Sequence, residues 1–334
     1  MTTKFDISPE KQASVPRFFY QQLTFTPAEV RDVSLQGKTA IVTGSNTGVG
    51  FETSRQLLDL GVSKLILAVR NEDKGKAAMA KLISSTARKD LSEDTIEVWN
   101  LDLAIYASVV AFAKRTKSLD RLDIVVLNGG IAPAKRVFNI QTGHDEMIQV
   151  NYLSTALLAI LILPIIKEKR ANQEHPSRIT LVSSEPGNID MLDRMFVSKL
   201  LGQFFLTELA RIVPVSVAVI NAASPGTVHD SDFNREHDKT FSGAIAKKIM
   251  RRIGSTSAVG ACMITDAAVQ HGEETHGQFL SFQKVVPMAP ILYTEEGKSI
   301  SKRLWKETMA EFSFAKVENI LQEICEDLAT GDIE

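Results

Sequence analysis

The sequence predicts an α/β fold, a doubly wound parallel sheet covered by helices on both faces to give three layers. Two observations predict it. Short apolar runs alternate with amphipathic segments of ten or more residues, and parallel strands need crossovers of about that length. The first apolar run also ends in a glycine-rich turn that opens a helix, so a ligand is expected at the carboxyl ends of the strands.

The elements follow in order. Residues 38–42 read as the first strand, and Leu57, Leu58 and Leu60 give the next segment helical spacing before Gly61 stops it. Residues 65–69 and 96–101 read as the second and third strands, separated by a charged amphipathic stretch over 71–90. The alternation continues with a strand at 123–127, a helix through 147–167, a strand at 178–182 and a helix through 195–212. Two more strands are expected at 215–220 and 278–282.

At 334 residues, 44% hydrophobic and 23% charged, the chain can bury a large core and sits near the upper size of one α/β domain. Residues 36–334 are therefore expected to form a single domain, and residues 1–35 an arm packed on it through Phe18, Phe19, Tyr20, Leu23 and Phe25. The tail from Ser299 reads as helical, with Trp305, Met309, Phe312, Ile320, Leu321 and Ile324 near helical spacing; it is expected to dock on the sheet edge or complete a substrate pocket.

Composition excludes several function classes. Net charge is −2 with the signs interspersed, which argues against nucleic acid as a partner and favours a small-molecule substrate. Cys262 and Cys325 lie far apart with no CxxC spacing, and the six histidines include no i,i+4 pair, so neither a disulfide framework nor a metal site is expected. The first thirty residues carry Lys4, Asp6, Glu10, Lys11 and Arg17 with no apolar centre, so they do not read as a secretory signal and a cytoplasmic protein is expected. The most lipid-like stretch, residues 156–166, spans only about 16 Å as helix, too short for a bilayer core of ~30 Å, so no membrane contact is expected.

The turn Thr43-Gly44-Ser45-Asn46-Thr47-Gly48-Val49-Gly50 carries the first chemistry. Its glycines permit a tight turn and close approach of backbone N–H groups to a pyrophosphate, and the following helix presents its positive end. Three glycines alone are weak; their placement in the first βα turn makes the signal strong and the fold Rossmann-type.

Thr-Gly-x-x-x-Gly-x-Gly resembles the phosphate loop of the short-chain dehydrogenases/reductases, and more of that family's pattern follows in order. Asp102, with Leu103 beside it, matches the acid at the adenine, and Asn128-Gly129-Gly130 is similar to the family's Asn-Asn-Ala-Gly. Asn151 matches the asparagine of the next helix, Ser184 the catalytic serine, Lys199 the lysine of Tyr-x-x-x-Lys, and Pro225-Gly226 the Pro-Gly after the sixth strand. The resemblance spans roughly residues 35–282. The arm, with Trp305 and Glu307 in the tail, is similar to a fungal subgroup common in natural-product pathways, although residues 185–194 are short for it.

The resemblance implies a nicotinamide cofactor held by Gly44, Ser45, Asn46, Gly48, Val49, Gly50, Asp102, Leu103, Asn128, Gly129, Lys199, Pro225 and Gly226. Beyond Pro225-Gly226, either Asp230 or Ser231 holds the nicotinamide amide, and Ser231 is favoured. Arg70 ends the second strand where an NAD-preferring protein holds an acid; a guanidinium there suits the 2′-phosphate of NADP(H), the alternative being a solvated strand-end charge. Asp102 is also readable as the cap of a helix over 103–113.

In the family the tyrosine donates a proton to a carbonyl oxygen, the lysine lowers that phenol's pKa, the serine orients substrate and the asparagine anchors a water. Here Asn151, Ser184 and Lys199 are kept, but Met195 stands four residues before Lys199, and a thioether has no proton to give. None of Tyr20, Tyr106, Tyr152 and Tyr293 falls between Ser184 and Lys199; Tyr152 reads as core. Ser184, Lys199, Glu185 and an acidic substrate hydroxyl remain as donors, with Glu185 reading more readily as a solvated loop charge. Three functions are open: an NADP(H)-dependent carbonyl reductase with an atypical donor, a non-redox enzyme keeping the pocket, and a non-catalytic nucleotide-binding protein. Residues 156–166 and 200–209 are apolar enough to pair across a two-fold axis, so a homo-oligomer is a further expectation.

Overall fold

The structure is a computed structural model that describes residues 5–184, 193–231 and 251–330. Eight strands form one sheet in the order β3-β2-β1-β4-β5-β6-β7-β8. They are β1 (Thr39–Thr43), β2 (Lys64–Val69), β3 (Ile96–Asn100), β4 (Ile124–Leu127), β5 (Ser177–Val182), β6 (Ala218–Ala223), β7 (Phe279–Ser281) and β8 (Lys284–Val286). Every neighbouring pair is parallel except β7 with β8. The winding reverses between β1 and β4, and the crevice beyond their carboxyl ends is the place such sheets offer a ligand.

The chain enters through two arm helices, α1 (Pro9–Gln12) and α2 (Val15–Thr24). Crossovers follow as α3 (Gly48–Asp59), α4 (Glu72–Ser85) and α5 (Tyr106–Arg115). After β4 a helical run starts with α6 (Glu146–Ile148), loosens into a π-helical turn at Gln149–Leu153, and continues as α7 (Ser154–Leu161) and α8 (Leu163–Lys169). The later helices are α9 (Asp193–Ile212), α10 (Ser257–Val269), α11 (Glu295–Glu311) and α12 (Val317–Thr330).

Two apolar clusters flank the sheet. One face packs Ile41, Ile66, Val125 and Ile179 against α5, α7, α9 and the tail; the other packs Val42, Leu65, Leu67 and Val126 against α3 and α10. Helical residues 146–172 make a run of 27, longer than the apolar stretch picked out in sequence and apolar enough to cross a membrane. Its most apolar part is 78% buried inside the protein, which is the condition of a core helix.

Several expectations need correction. The tail does not dock on the sheet edge. It folds as α11 and α12 across α7, α8 and α9, with Phe312 wholly buried, Tyr152 Oη bonded to Thr308 Oγ1 at 2.6 Å and Lys167 Nζ donating to the Glu323 carbonyl at 2.7 Å.

β6 runs three residues beyond its expected end, because Asn221 is buried yet satisfied: it accepts from Thr180 Oγ1 at 2.8 Å and donates to the Ala267 carbonyl at 2.9 Å. The helix α10 and the strand β8 carry no sequence expectation at all.

The β7–β8 hairpin turns on Phe282 and Gln283, with φ of 48° and 57°, a left-handed pair for which Asn-Gly is the usual sequence. The arm holds this strained turn. Phe18 and Phe25 pack on the Phe282 ring, and the Gln283 amide both accepts from the Ala28 N–H and donates to its carbonyl, each at 2.8 Å.

Phe312→Ala is expected to lower stability by about 3–5 kcal/mol, the usual range for emptying a buried aromatic site. A shift of the urea midpoint at unchanged slope measures it; a loss near zero would show that the tail is only loosely attached.

Candidate active site

The crevice is built on contacts between the ends of β1 and β4. Asn128 Nδ2 donates to the carbonyls of Thr43 at 3.0 Å and Gly44 at 3.3 Å, and Gly129 N donates to Thr43 Oγ1 at 2.8 Å. Gly44 and Gly48 take left-handed φ of 65° and 60°. A Cβ on Gly44 would stand 2.9 Å from Gly129 Cα, and one on Gly50 would strike Asn128 Nδ2 and the Gly44 carbonyl. On the far side, a Cβ on Gly129 would lie 2.7 Å from Leu103 Cδ1. Glycine is required here because two loops touch through their backbones.

This turn delivers the chain to the N-terminus of α3. Thr47 is its N-cap residue, and the first-turn N–H groups of such a helix have no partner within the helix. Ser45 is fully buried, with no hydrogen-bond partner for its hydroxyl among the described residues, while Asn46 and Val49 are half-buried along the turn. Arg70 is exposed at the end of β2, and its carbonyl is tied to Asn100 Nδ2 at 2.9 Å. This donor set, a helix N-terminus and a strand-end guanidinium, fits the phosphates of a dinucleotide.

Asp102 does not cap a helix over 103–113, because α5 starts only at Tyr106. Its Oδ1 accepts from Ala104 N at 2.9 Å and its N–H donates to Ser108 Oγ at 2.9 Å, which turns the chain at the crevice rim.

Asn151 lies in the π-helical turn, a distortion frequent at functional sites. Its Oδ1 accepts from Ile131 N at 2.8 Å, and its Nδ2 donates to the Ile131 carbonyl at 3.0 Å and to Ser198 Oγ at 3.1 Å. The Ser198 hydroxyl donates in turn to the Met195 carbonyl at 2.7 Å. Sequence reasoning missed Ser198; its only signal was its place beside Lys199. The Asn151 side chain thus ties the loop after β4 to the first turns of α9.

Met195 is half-buried near the start of α9, with Lys199 one turn later. Lys199 Nζ donates to the Val182 carbonyl at 2.7 Å, two residues before Ser184. Dense protein around this amine raises the cost of its charge and pushes its pKa down to about 8. Ser184 is partly exposed just beyond β5. Glu185 lies outside the described residues.

Three tyrosine phenols have partners elsewhere. Tyr152 is core, and burial raises it to about 12; Tyr106 donates to Glu311 Oε1 at 3.0 Å, and Tyr293 Oη accepts from Met288 N at 3.0 Å. Burial raises both of these phenols too. Tyr20 is 69% exposed on α2.

Past β6, Pro225 and Gly226 start a loop in which Asp230 Oδ1 accepts from Ser257 N at 2.6 Å and Ser257 Oγ at 2.7 Å. Asp230 therefore caps the start of α10, while Ser231 packs on Gly48, whose Cβ would come 3.1 Å from that of Ser231. Among the described residues no cluster of three potential metal ligands occurs.

A family profile described as short chain dehydrogenase matches residues 38–241. The chain is 41% identical to the short-chain dehydrogenase fogG of Aspergillus ruber, an alignment covering 97% of this chain and 99% of that one. It is 36% identical to the short chain dehydrogenase/reductase mfmJ of Annulohypoxylon moriforme, over 96% of this chain and 98% of the relative.

Among solved structures, a putative NAD(P)-dependent gluconate 5-dehydrogenase from Beutenbergia cavernae with bound NADP superposes with a TM-score of 0.58 at 22% identity, covering 75% of this chain and 96% of that one. A 3-oxoacyl (acyl-carrier-protein) reductase from Agrobacterium tumefaciens with NADP bound gives 0.56 at 18% identity, covering 74% and 93%. The chain belongs to the short-chain dehydrogenase/reductase family, whose members are oxidoreductases that bind NAD(P).

Gly50→Ala is expected to destabilise the protein by roughly 1–3 kcal/mol, the usual cost of overpacking, because the new methyl meets backbone and a side chain that already bonds two carbonyls. Thermal unfolding measures it; a variant as stable as the wild type would show that the two loops part easily.

Proposed function

We propose that the protein is an NADP(H)-dependent reductase acting on a carbonyl of a small, natural-product-like molecule, with Lys199 as the proton donor where most of its family would use a phenol. The observation that carries this reading is the Lys199 amine, desolvated beside the carboxyl end of β5 and held to the Val182 carbonyl. The preference for NADP(H) rests on Arg70 at the end of β2 in place of an acid. The substrate class rests on the similarity to the fungal subgroup.

A bound NADPH would supply hydride to a carbonyl carbon placed beside its nicotinamide. Ser184 would hydrogen-bond the carbonyl oxygen and orient it, and Lys199 would give that oxygen the proton as negative charge develops there. An ordinary lysine is too weak an acid for this at neutral pH. A pKa near 8 keeps the amine protonated at pH 7 yet able to release its proton. Met195 would line the pocket as an apolar wall, and Ser198 and Asn151 would hold the start of α9 in place.

The sign of the pH dependence follows from the lowered pKa. Below about 8 the amine carries its proton, and as pH rises through that value reduction loses its acid. The test is NADPH oxidation by the purified protein with a panel of ketones and aldehydes, against NADH as control. Turnover is expected with NADPH, falling above pH 8, and Lys199→Met is expected to reduce it by about 10²-fold or more without lowering the melting temperature. Product formation that ignores omission of the cofactor would establish a non-redox enzyme instead.

Met195→Tyr places a phenol one turn before Lys199. It is expected to raise ketone reduction by up to about 10²-fold and to flatten the fall above pH 8. An unchanged pH profile would argue that Lys199 is not the donor.

A further inference from the structure

Gln22 is an oddity of the arm. It stands in the run Phe18-Phe19-Tyr20-Gln21-Gln22-Leu23, where the aromatic residues would be the expected anchors, yet Tyr20 and Leu23 are largely exposed and Gln22 is 6% exposed. A buried primary amide is costly unless both of its ends find partners. Gln22 finds them more than two hundred residues away. Its Nε2 donates to Ser255 Oγ at 2.9 Å and to the Thr227 carbonyl at 3.3 Å, and its Oε1 accepts from Thr227 N at 2.9 Å.

The partners are not an arbitrary patch of surface. Thr227 and Ser255 are joined to each other: Ser255 N donates to the Thr227 carbonyl at 2.8 Å, His229 N donates to the Ser255 carbonyl at 3.0 Å, and Val228 bridges Ser255. Gly226, at φ 67°, lets the amide approach, since a Cβ there would lie 2.7 Å from Gln22 Oε1. Four residues on from Thr227, Ser231 rests against Gly48 of the phosphate-binding turn, and Asp230 is pinned to the start of α10. Contacts therefore run without a gap from the arm, through Thr227 and the loop over residues 224–231, to the turn at Gly48.

We infer that Gln22 is a positioning residue for the cofactor: by clamping Thr227 to Ser255 it fixes the loop over 224–231 against the turn at Gly48, so that the arm sets affinity for the nicotinamide side of the dinucleotide. This rests on the reading that the crevice takes NADP(H). Arg70, at the far end of the crevice, has no part in the relay. The adenosine side is therefore independent of the clamp.

The test compares two ligands on four proteins. NADPH and adenosine 2′-monophosphate, which lacks both the pyrophosphate and the nicotinamide half, are titrated into the wild type, Gln22→Ala, Gln22→Glu and Tyr20→Ala, with melting temperatures recorded for each. Gln22→Ala is expected to weaken NADPH about tenfold, the equivalent of one good hydrogen bond, and to leave the 2′-monophosphate within about twofold. Gln22→Glu keeps the acceptor for Thr227 N and should fall between Gln22→Ala and wild type; Tyr20→Ala, on the exposed side of the same helix, should match the wild type.

If Gln22→Ala does not fold, Ser255→Ala removes only the hydroxyl that Nε2 reaches, with an expected loss of about threefold for NADPH alone. NADPH affinity unchanged in the variants, or equal losses for both ligands, would overturn the inference while leaving the cofactor reading intact. A wild type that binds neither ligand would overturn both.

Discussion

The crevice depends on the amide of Asn128. One side chain after β4 holds two carbonyls at the end of β1, and the Thr43 hydroxyl returns the bond to the backbone of Gly129. These contacts draw the two loops together at the point where the winding of the sheet reverses, and they leave no space for a Cβ on Gly44 or Gly50. With the turn held this way, α3 begins with its positive end directed at the crevice. The glycines of the turn thus serve contact between loops as well as approach to a ligand.

A second consequence concerns the proton. In the reading proposed above Lys199 itself supplies the proton, because Met195, one turn before it, is a thioether with no proton to give. The amine lies in a dense, weakly solvated place that lowers its pKa, and it donates to the Val182 carbonyl. Asn151, with its amide committed to Ile131 and Ser198, holds the surrounding backbone.

The parallel layers and the phosphate-binding turn were legible because their signals are local: apolar runs at strand length, and glycines where a strand meets a helix. The rest depended on contacts between distant parts of the chain. Asn221 lies one residue past the end of the strand expected over 215–220, and its place in β6 follows from partners on β5 and α10. The Phe282-Gln283 turn lacks any residue suited to a positive φ, and only the arm, through Ala28 and the aromatic residues at 18 and 25, accounts for it. The tail read correctly as helical, but where it docks follows from Tyr152 with Thr308 and Tyr106 with Phe312, pairings that no periodicity announces. At the site, the order of motifs marked the chain positions, whereas Ser198 and Gln22 are polar residues whose importance lies wholly in what they touch.

The most direct measurement is a crystal structure of the protein grown with NADP⁺. The account predicts density for the pyrophosphate over the backbone N–H groups at the start of α3, with the 2′-phosphate against Arg70 and the Asn128 contacts to Thr43 and Gly44 intact. A dinucleotide lying away from the β1/β4 crevice, or Arg70 turned from the 2′-phosphate in crystals that hold the cofactor, would contradict it.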